Sequence, residues 1–316
     1  MIKLLAEPGV VLSWEQFIQA KPPYSIALDG YVNSQSELDF IGPYMNLDHH
    51  SGVRRLITRS TCSQVYLGIV LGLFKLFQKD NRPHANIYVN DCDQDVCLSY
   101  WLLKNPDKII NISIQDNIAR LIIGEDFLDA TAGSFPIDLT RDITQQSFWI
   151  FEPYTIVRNN GELKNYTSRQ MVELIQSVYD RIDLYTEGKA KKIEADFRYK
   201  IVGGGKGWVL AEEIGAYART QLYQEGVQSL ITFRDNQDST FTYSIGKVSG
   251  FINFPITDFY NVLNKAENLI DPNNQWGGST TIGGSPRRSG SILSPEELEN
   301  IINDYISSRW SSDGIS

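Results

Sequence analysis

Apolar runs that end in acidic residues recur along the first part of the chain. Segments 24–32 (YSIALDGYV), 41–50 (IGPYMNLDHH) and 84–95 (HANIYVNDCDQD) each combine a short apolar run with one or more aspartates after it. Runs of this length, followed by polar turn residues, are typical of buried strands whose ends open into loops. The pattern therefore predicts strands with aspartates at or just beyond their carboxyl ends.

The segments between and beyond these strands are longer and predict helices. Residues 61–78 (TCSQVYLGIVLGLFKLFQ) are apolar for nearly their whole length, which predicts one buried helix with Ser60 or Thr61 as its N-cap. Residues 96–106 and 114–133 predict two more helices, the first of which is ended by its Asn-Pro pair. A strand, an acidic end and a helix in repeated order are typical of an α/β domain with a parallel sheet.

The remainder of the chain predicts a change of architecture. Residues 168–188 place apolar side chains at helical spacing, which predicts one long amphipathic helix. Beyond it, the segments WVLAEE, QSLITFRDN and FTYSIGKVS have β character. We therefore predict an α/β fold, with a mainly parallel sheet and flanking helices, plus a smaller α+β C-terminal domain. The predicted boundaries are 1–165 for the first domain, 166–196 for a connecting helix and 197–316 for the C-terminal domain.

The predicted strand ends carry residue types that commonly bind metal ions. Asp29, Asp48 with the adjacent His49 and His50, and the acidic segment 91–95 (DCDQD) all fall at such ends. In open α/β sheets, ligands bind beyond the carboxyl ends of the strands, so we expect these residues to share one edge of the sheet. Crowded carboxylates repel one another unless cations lie between them, and a pair of divalent ions is bound in this way. A polar turn and a solvated acidic loop are the structural alternatives.

Composition narrows the classes of function. The 316-residue chain carries a formal net charge of −9, which disfavours a protein that coats long nucleic acid but allows a small phosphorylated ligand at one local site. No apolar segment approaches the roughly 20 residues that a membrane-spanning helix needs. The three cysteines are odd in number and loosely spaced, which argues against a disulfide framework. These features predict a cytoplasmic protein with no membrane partner, and they leave its oligomeric state open.

Three segments resemble the motifs of the DHH phosphoesterase superfamily, which is named for its Asp-His-His motif. The segments are ALDGYV, NLDHH and NDCDQDVCLS. The resemblance implies two domains: an α/β domain whose dinuclear site holds two Mn²⁺ or Mg²⁺ ions, and a smaller C-terminal domain that binds substrate. It also implies hydrolysis of a small phosphorylated substrate, such as a short single-stranded oligonucleotide or a nucleotide phosphodiester.

The resemblance also implies roles for individual residues. His50 would face the scissile phosphate, and Asp48 would hold the histidines or contact the metal, so that both are the expected catalytic residues. The aspartates of segment 91–95 resemble the Asp-x-Asp pair of the superfamily. The expected metal ligands are Asp29, His49, Asp91, Asp93 and Asp95.

The order of the motifs departs from that of the superfamily. There the Asp-x-Asp strand comes first and a last aspartate follows Asp-His-His, whereas here the Asp-x-Asp-like segment begins 43 residues after Asp48 (91 minus 48). Either the domain is circularly permuted, which neighbouring chain termini would allow, or segment 91–95 replaces the final motif and the first is absent. We favour permutation, under which the last aspartate is Asp126 or Asp129. The other explanation would leave the metal site incomplete.

A Gly/Ser-rich segment lies near the C-terminus, where glycines let backbone N–H groups approach an anion closely. It is similar to the Gly-Gly-Gly-His loop that binds substrate phosphate in the superfamily, although the histidine is not matched. The expected substrate contacts are Gly277, Gly278, Ser279 and Arg287. An exposed Gly/Ser loop is the alternative. Residues 294–297 (SPEE) predict a helix that begins with a capping box.

Two basic residues and three cysteines lie close to these motifs. Arg54 and Arg55 follow the histidines and either steer phosphate or are ordinary surface charges. The cysteines lack the spacing of a zinc site, so we expect buried free thiols. The expected function is that of a metal-dependent phosphoesterase, and the alternative is a catalytically silent DHH-like module that binds a nucleotide or a protein partner.

Overall fold

The chain folds into two compact units, each with its own sheet and apolar core. The computed structural model describes residues 1–110 and 112–312, apart from the side chains of 110, 112–115 and 310–312. The first unit comprises Met1–Ala130 and Thr140–Ile193, and the second comprises Thr131–Leu139 and Glu194–Ser316.

The sheet of the first unit directs several strand ends to one edge. The described strands of this unit are β1 (Ile2–Ala6), β2 (Ser25–Leu28), β3 (Glu37–Asp39), β4 (Tyr44–Leu47), β5 (Gln78–Lys79), β6 (Arg82–Pro83) and β7 (Ala85–Val89). One sheet has the spatial order β1-β7-β2-β4-β3, while β5 and β6 form a separate hairpin. The β1–β7, β7–β2 and β2–β4 pairs are parallel, and the edge pair β3–β4 is antiparallel. The carboxyl ends of β2, β4 and β7 therefore lie at the same edge.

Helices make up much of the rest of the first unit. They are α1 (Trp14–Ala20), α2 (Thr61–Leu71), α3 (Leu73–Leu76), α4 (Gln94–Lys104), α5 (Pro106–Ile110), α6 (Ile112–Ala130), α7 (Asp142–Asn159) and α8 (Ser168–Thr186), with 3-10 helices at Arg55–Ile57 and Leu163–Asn165.

The prediction of a single helix over 61–78 is wrong, because Gly72 takes a left-handed conformation (φ +105°) and separates α2 from α3. Ser60 is the N-cap of α2, since its hydroxyl accepts the N–H of Ser63.

Helices cover both faces of the first sheet. Along β2, Ile26 and Leu28 belong to a core shared with α2, α4 and α8, while Ala27 belongs to a second cluster around Phe17 of α1. All four side chains are fully buried. A strand that is buried on both faces has no alternation of polar and apolar residues, which explains the continuous apolar run in the sequence.

The second unit has a mixed sheet with helices. Its described strands are β8 (Tyr199–Gly205), β9 (Trp208–Glu213), β10 (Ser229–Asp235), β11 (Phe241–Lys247), β12 (Gly277–Gly278) and β13 (Ile282–Gly284), and its helices are α9 (Ala218–Gln224), α10 (Ile256–Ala266) and α11 (Pro295–Ser312). The order is β12-β13-β11-β10-β9-β8; only β9–β10 is a parallel pair in this sheet of described strands. The predicted capping box is confirmed, because Ser294 Oγ accepts the N–H of Glu297 and the Glu297 carboxylate accepts the N–H of Ser294.

The predicted combination of helices and sheets is confirmed, and each of the two larger sheets contains both parallel and antiparallel pairs. The long helix predicted over 168–188 is confirmed as α8, which packs into the core of the first unit through Met171, Ile175 and Val178. Within residues 1–110 and 112–312, no helix combines the length and the apolar character required to cross a membrane.

Candidate metal centre

One buried imidazole lies where four segments of the first unit meet. The His49 Nε2 atom lies 2.6 Å from Asp129 Oδ2, 3.4 Å from Asp29 Oδ1 and 3.6 Å from Asp95 Oδ2. The histidine follows β4, and these aspartates come from the end of α6, the end of β2 and the first turn of α4 respectively. The structure thus brings together three of the residues expected to bind metal, Asp29, His49 and Asp95.

Two overlapping groups of donor atoms form this cluster. One consists of His49, Asp95 and Asp129, and the other of Asp29, His49 and His50; within each group the donor atoms lie within 4.8 Å of one another. His50 Nδ1 lies 3.3 Å from Asp29 Oδ1. Because His49 belongs to both groups, we treat these five residues as one site, the candidate metal centre.

The donor atoms of the candidate metal centre fit a divalent ion. Across the described residues, neither ring nitrogen of His49 has a hydrogen-bond partner, and Asp129 Oδ2 has none, although all these atoms are buried. A buried polar atom without a partner costs about 1–3 kcal/mol. His49 Nε2 and Asp129 Oδ2 are 2.6 Å apart, close enough for both atoms to contact one ion. Imidazole nitrogen with carboxylate oxygen suits Mn²⁺, Mg²⁺ or Zn²⁺.

Asp29 is held in place by backbone and side-chain contacts. It directly follows β2 and takes a left-handed conformation (φ +50°), which aspartate tolerates better than most side chains. Its N–H donates to the Leu47 carbonyl (2.9 Å), and its Oδ1 accepts from Thr61 Oγ1 (3.0 Å). Burial acts to raise the pKa of its carboxyl, but contacts with His49 and His50 outweigh burial and hold the pKa below its usual range. Asp29 is therefore ionised and can act as a metal ligand.

Asp95 connects the candidate metal centre to the start of α2. Its Oδ2 accepts the N–H of Thr61 (2.7 Å) and its Oδ1 accepts the N–H of Cys62 (2.6 Å). These are N-terminal donors of a helix, where the dipole also favours a carboxylate. Burial, followed by the negative charges of Asp29 and Asp129, raises the pKa of the Asp95 carboxyl. A cation beside Asp95 would offset that repulsion.

Asp48 organises the loop that carries the histidines. It is fully buried. Its Oδ2 accepts the N–H groups of His50 (3.0 Å) and Ser51 (2.8 Å), and its Oδ1 lies 3.1 Å from His50 Nδ1. In the described part of the chain, neither group of donor atoms includes Asp48. These contacts support the first of its two expected roles, which is to hold the histidines.

Asp91 and Asp93 lie next to the candidate metal centre in the chain but outside both groups of donor atoms found among the described residues. Asp91 is exposed, and its Oδ1 accepts the N–H of Cys92 (2.6 Å). Asp93 is the N-cap of α4, with Oδ1 accepting the N–H of Val96 (2.9 Å). Burial raises the pKa of the Asp93 carboxyl, and the negative charge of Asp29 raises it further. Asp93 is therefore close enough to the candidate metal centre to interact with it electrostatically. Ligand roles for Asp91 and Asp93 stay predictions.

The two aspartates near the end of α6 have different partners. Asp129 contacts the imidazole through Oδ2, and its Oδ1 accepts a hydrogen bond from Arg55. Asp126 Oδ1 instead accepts the N–H of Ser60 (2.6 Å), the N-cap of α2. Of the two residues that the sequence left open, Asp129 is therefore the one placed among the donor atoms.

Two polar residues beside the cluster were missed from the sequence. Thr61 donates to Asp29, as described above, and Glu125 is a buried carboxyl of α6. Burial, followed by the charges of Asp129 and Asp29, raises the pKa of Glu125 well above its usual range. Both residues are ordinary members of apolar helical segments, so only the packing of α2 and α6 against the strand ends identifies them. The cysteines are buried and free, as predicted.

The expected substrate contacts lie in the second unit and have structural partners there. Gly277 and Gly278 form β12 and pair with β13. At Gly278, φ is +147° and a side-chain carbon would lie 2.4 Å from the backbone of the partner strand, so the position requires glycine. Ser279 Oγ accepts two backbone N–H groups of the following turn, and Arg287 is exposed. Phosphate binding by these residues stays a prediction.

Comparison of the chain with known protein families gives no match, and comparison with curated proteins gives none either. The resemblance to the DHH superfamily therefore rests on the sequence motifs alone. The geometry of the candidate metal centre is an independent observation, because it follows from the distances between side chains and from their burial.

Manganese affinity is expected to rise with pH. Burial acts to lower the pKa of each histidine, but contacts with carboxylates outweigh it, raising the pKa of His49 and raising that of His50 to about 10. A protonated imidazole cannot bind a metal ion, and the proportion of neutral imidazole grows as pH approaches the pKa from below. Between about pH 6 and about pH 9, we expect the Kd for Mn²⁺ to fall by up to about tenfold per pH unit for each proton displaced. Electron paramagnetic resonance of free Mn²⁺ measures this; a constant Kd would argue against His49 as a ligand.

Proposed function

We propose that the chain is a metal-dependent phosphoesterase that hydrolyses a small phosphorylated substrate, such as a short oligonucleotide or a nucleotide phosphodiester. The observation that carries this proposal is the approach of three aspartates from separate segments to the buried His49 Nε2. Carboxylates buried together repel one another, and a cation among them removes that cost. When bound, divalent ions lower the pKa of a water molecule and polarise phosphoryl oxygens.

The roles of the residues follow from their surroundings. Mn²⁺ or Mg²⁺, two ions by resemblance to the superfamily, would be held by Asp29, His49, Asp95 and Asp129, with Asp91 and Asp93 as further expected ligands. The His50 side chain is 37% exposed, and Asp48 holds its Nδ1 atom. This arrangement leaves Nε2 of the same ring to donate a hydrogen bond or a proton to an oxygen of the substrate.

The finer organisation belongs to the same proposal. Residues 1–165 would form a mainly parallel α/β catalytic domain, and residues 197–316 would bind the substrate through Gly277, Gly278, Ser279 and Arg287. The net charge of −9 favours short substrates over long nucleic acid, and the odd number and loose spacing of the cysteines fit a cytoplasmic enzyme.

A second candidate function is a catalytically silent module that binds a nucleotide or a protein partner. It is favoured by the positions of Asp91 and Asp93, which lie outside both groups of donor atoms in the described part of the chain. A site with fewer metal ligands than an enzyme of this superfamily would need can still bind a metal ion and an anionic ligand.

Metal removal separates the two candidates. The full chain, stripped with EDTA, is assayed against p-nitrophenyl phosphate esters, short oligonucleotides and cyclic dinucleotides, with and without added Mn²⁺. The phosphoesterase should hydrolyse at least one of these classes with Mn²⁺ and lose that activity in EDTA, because a metal-activated water is then absent. Stoichiometric binding of Mn²⁺ without turnover of any of them would favour the silent module.

A further inference from the structure

Arg55 is a cation at the edge of the candidate metal centre. It begins the 3-10 helix Arg55–Ile57, shortly after the loop that carries the histidines. Its Nη2 group donates to Asp129 Oδ1, while the other oxygen of Asp129 contacts His49 Nε2. The guanidinium is therefore one side chain away from the imidazole on which the aspartates converge.

One donor of this guanidinium has no partner. Among the residues that the structure describes, Arg55 Nε is buried and makes no hydrogen bond. The side chain as a whole is nevertheless 35% exposed, so Arg55 is not sealed off from solvent. Leaving a buried charged donor unpaired is costly, and the forked donors of arginine match two oxygens of a phosphate group. The hydrogen bond to Asp129 also orients the Arg55 guanidinium before a ligand binds.

We infer that Arg55 binds a phosphoryl oxygen of the substrate at the candidate metal centre. The inference rests on the proposed function and adds to it the residue of the first unit that recognises the phosphate group. The neighbouring Arg54 is exposed. It is not the residue that donates to Asp129, and it has no atom among the buried unpartnered atoms of the described residues. Arg55 is thus the phosphate contact and Arg54 a surface charge.

A purely structural role for Arg55 has a different signature. If the guanidinium only positioned Asp129, its loss would weaken metal binding and phosphate binding in parallel. If it binds phosphate, its loss weakens phosphate binding while Asp129 and the other metal ligands stay in place. Phosphate affinity and metal affinity must therefore be measured separately.

The experiment uses the full chain and the variants Arg55→Gln, Arg55→Lys and Arg54→Gln. Calorimetry measures the binding of inorganic phosphate to the Mg²⁺-loaded proteins, and electron paramagnetic resonance measures their Mn²⁺ affinity. For Arg55→Gln we expect phosphate affinity to fall roughly 10- to 100-fold, with Mn²⁺ affinity within about threefold of the wild type. Arg55→Lys keeps the charge beside Asp129 and should lose several-fold less than Arg55→Gln, and Arg54→Gln should match the wild type.

Several outcomes would overturn the inference. These are unchanged phosphate affinity in Arg55→Gln, an equal loss in Arg54→Gln, a parallel loss of Mn²⁺ affinity, or no binding of phosphate by the wild type. Circular dichroism confirms that the variants are folded, and Arg55→Lys provides the comparison if Arg55→Gln is not. A chain that binds phosphate through Arg55 but hydrolyses no ester would refute the proposed enzymatic function and leave the role of Arg55 standing.

Discussion

Replacing Asp129 with asparagine is expected to abolish Mn²⁺-stimulated hydrolysis and to weaken Mn²⁺ binding by more than about 100-fold. The expected loss exceeds the roughly 10- to 100-fold effect of residues one step removed from a metal, because Asp129 Oδ2 lies 2.6 Å from His49 Nε2 and has no other partner among the described residues. An amide is neutral and cannot compensate the charge of the ion. Calorimetric titration with Mn²⁺ and assays of kcat/KM measure the two effects.

Asp126→Asn is the matched control for this prediction. Asp126 is three residues earlier on α6 and belongs to neither group of donor atoms in the described part of the chain. Its Oδ1 accepts the N–H of Ser60, a contact that the asparagine oxygen can also make. We expect metal affinity and activity within a few-fold of the wild type. Equal losses in the two variants would mean that α6, rather than Asp129, is what the site requires.

Replacing Asp95 with alanine is expected to destabilise the metal-free protein by about 2–5 kcal/mol. The change removes the acceptor for the N–H groups of Thr61 and Cys62, both of which are then buried at the start of α2 without a partner. It also removes a carboxylate that is favoured by the helix dipole. Urea denaturation in EDTA measures the free energy of unfolding without any contribution from metal binding.

Asp93→Ala serves as the comparison, because Asp93 is also an acidic residue at the start of a helix with a raised pKa. Among the described residues, its Oδ1 accepts one hydrogen bond, from the N–H of Val96 at the start of α4, and loss of one cap of this kind costs about 1 kcal/mol. The Asp95 variant should therefore be the less stable of the two by a clear margin. If both variants were equally stable, the carboxylate repulsion that each substitution relieves would outweigh the helix contacts that it removes.

The ends of the strands could be predicted from the sequence because their signal is local. Asp29 and His49 each follow a short apolar run, and both faces of the sheet are covered, so the runs are continuous. Parallel strands place their carboxyl ends at one edge, and the proximity of Asp29, His49 and Asp95 follows from that rule. The local signal was weaker within helices: the apolar run over 61–78 concealed the break at Gly72, which depends on a single left-handed residue.

The last aspartate could be narrowed to two positions and no further. Asp126 and Asp129 are three residues apart on α6 and therefore lie on neighbouring parts of one helix face. Periodicity cannot separate them. They are separated by their partners, since the N-cap of α2 takes Asp126 and leaves Asp129 to the imidazole, and those contacts join residues more than 60 positions apart.

The charged surroundings of the candidate metal centre could not be predicted from the sequence either. Arg54 and Arg55 are identical residue types at adjacent positions. The sequence therefore cannot tell which of them steers phosphate and which is an ordinary surface charge. The 3-10 helix that begins at Arg55 directs one of them towards Asp129. In the second unit, Gly278, one of the glycines that suggested an anion-binding loop, is required by the close approach of β12 and β13, which is a constraint of strand pairing.

The most direct test of the account is anomalous diffraction from crystals of the full chain grown with Mn²⁺. The account predicts a strong anomalous peak within bonding distance of both His49 Nε2 and Asp129 Oδ2, with carboxylate oxygens of Asp29 or Asp95 completing its ligands. A crystal that holds Mn²⁺ elsewhere, with His49 and Asp129 in place and no peak between them, would contradict it.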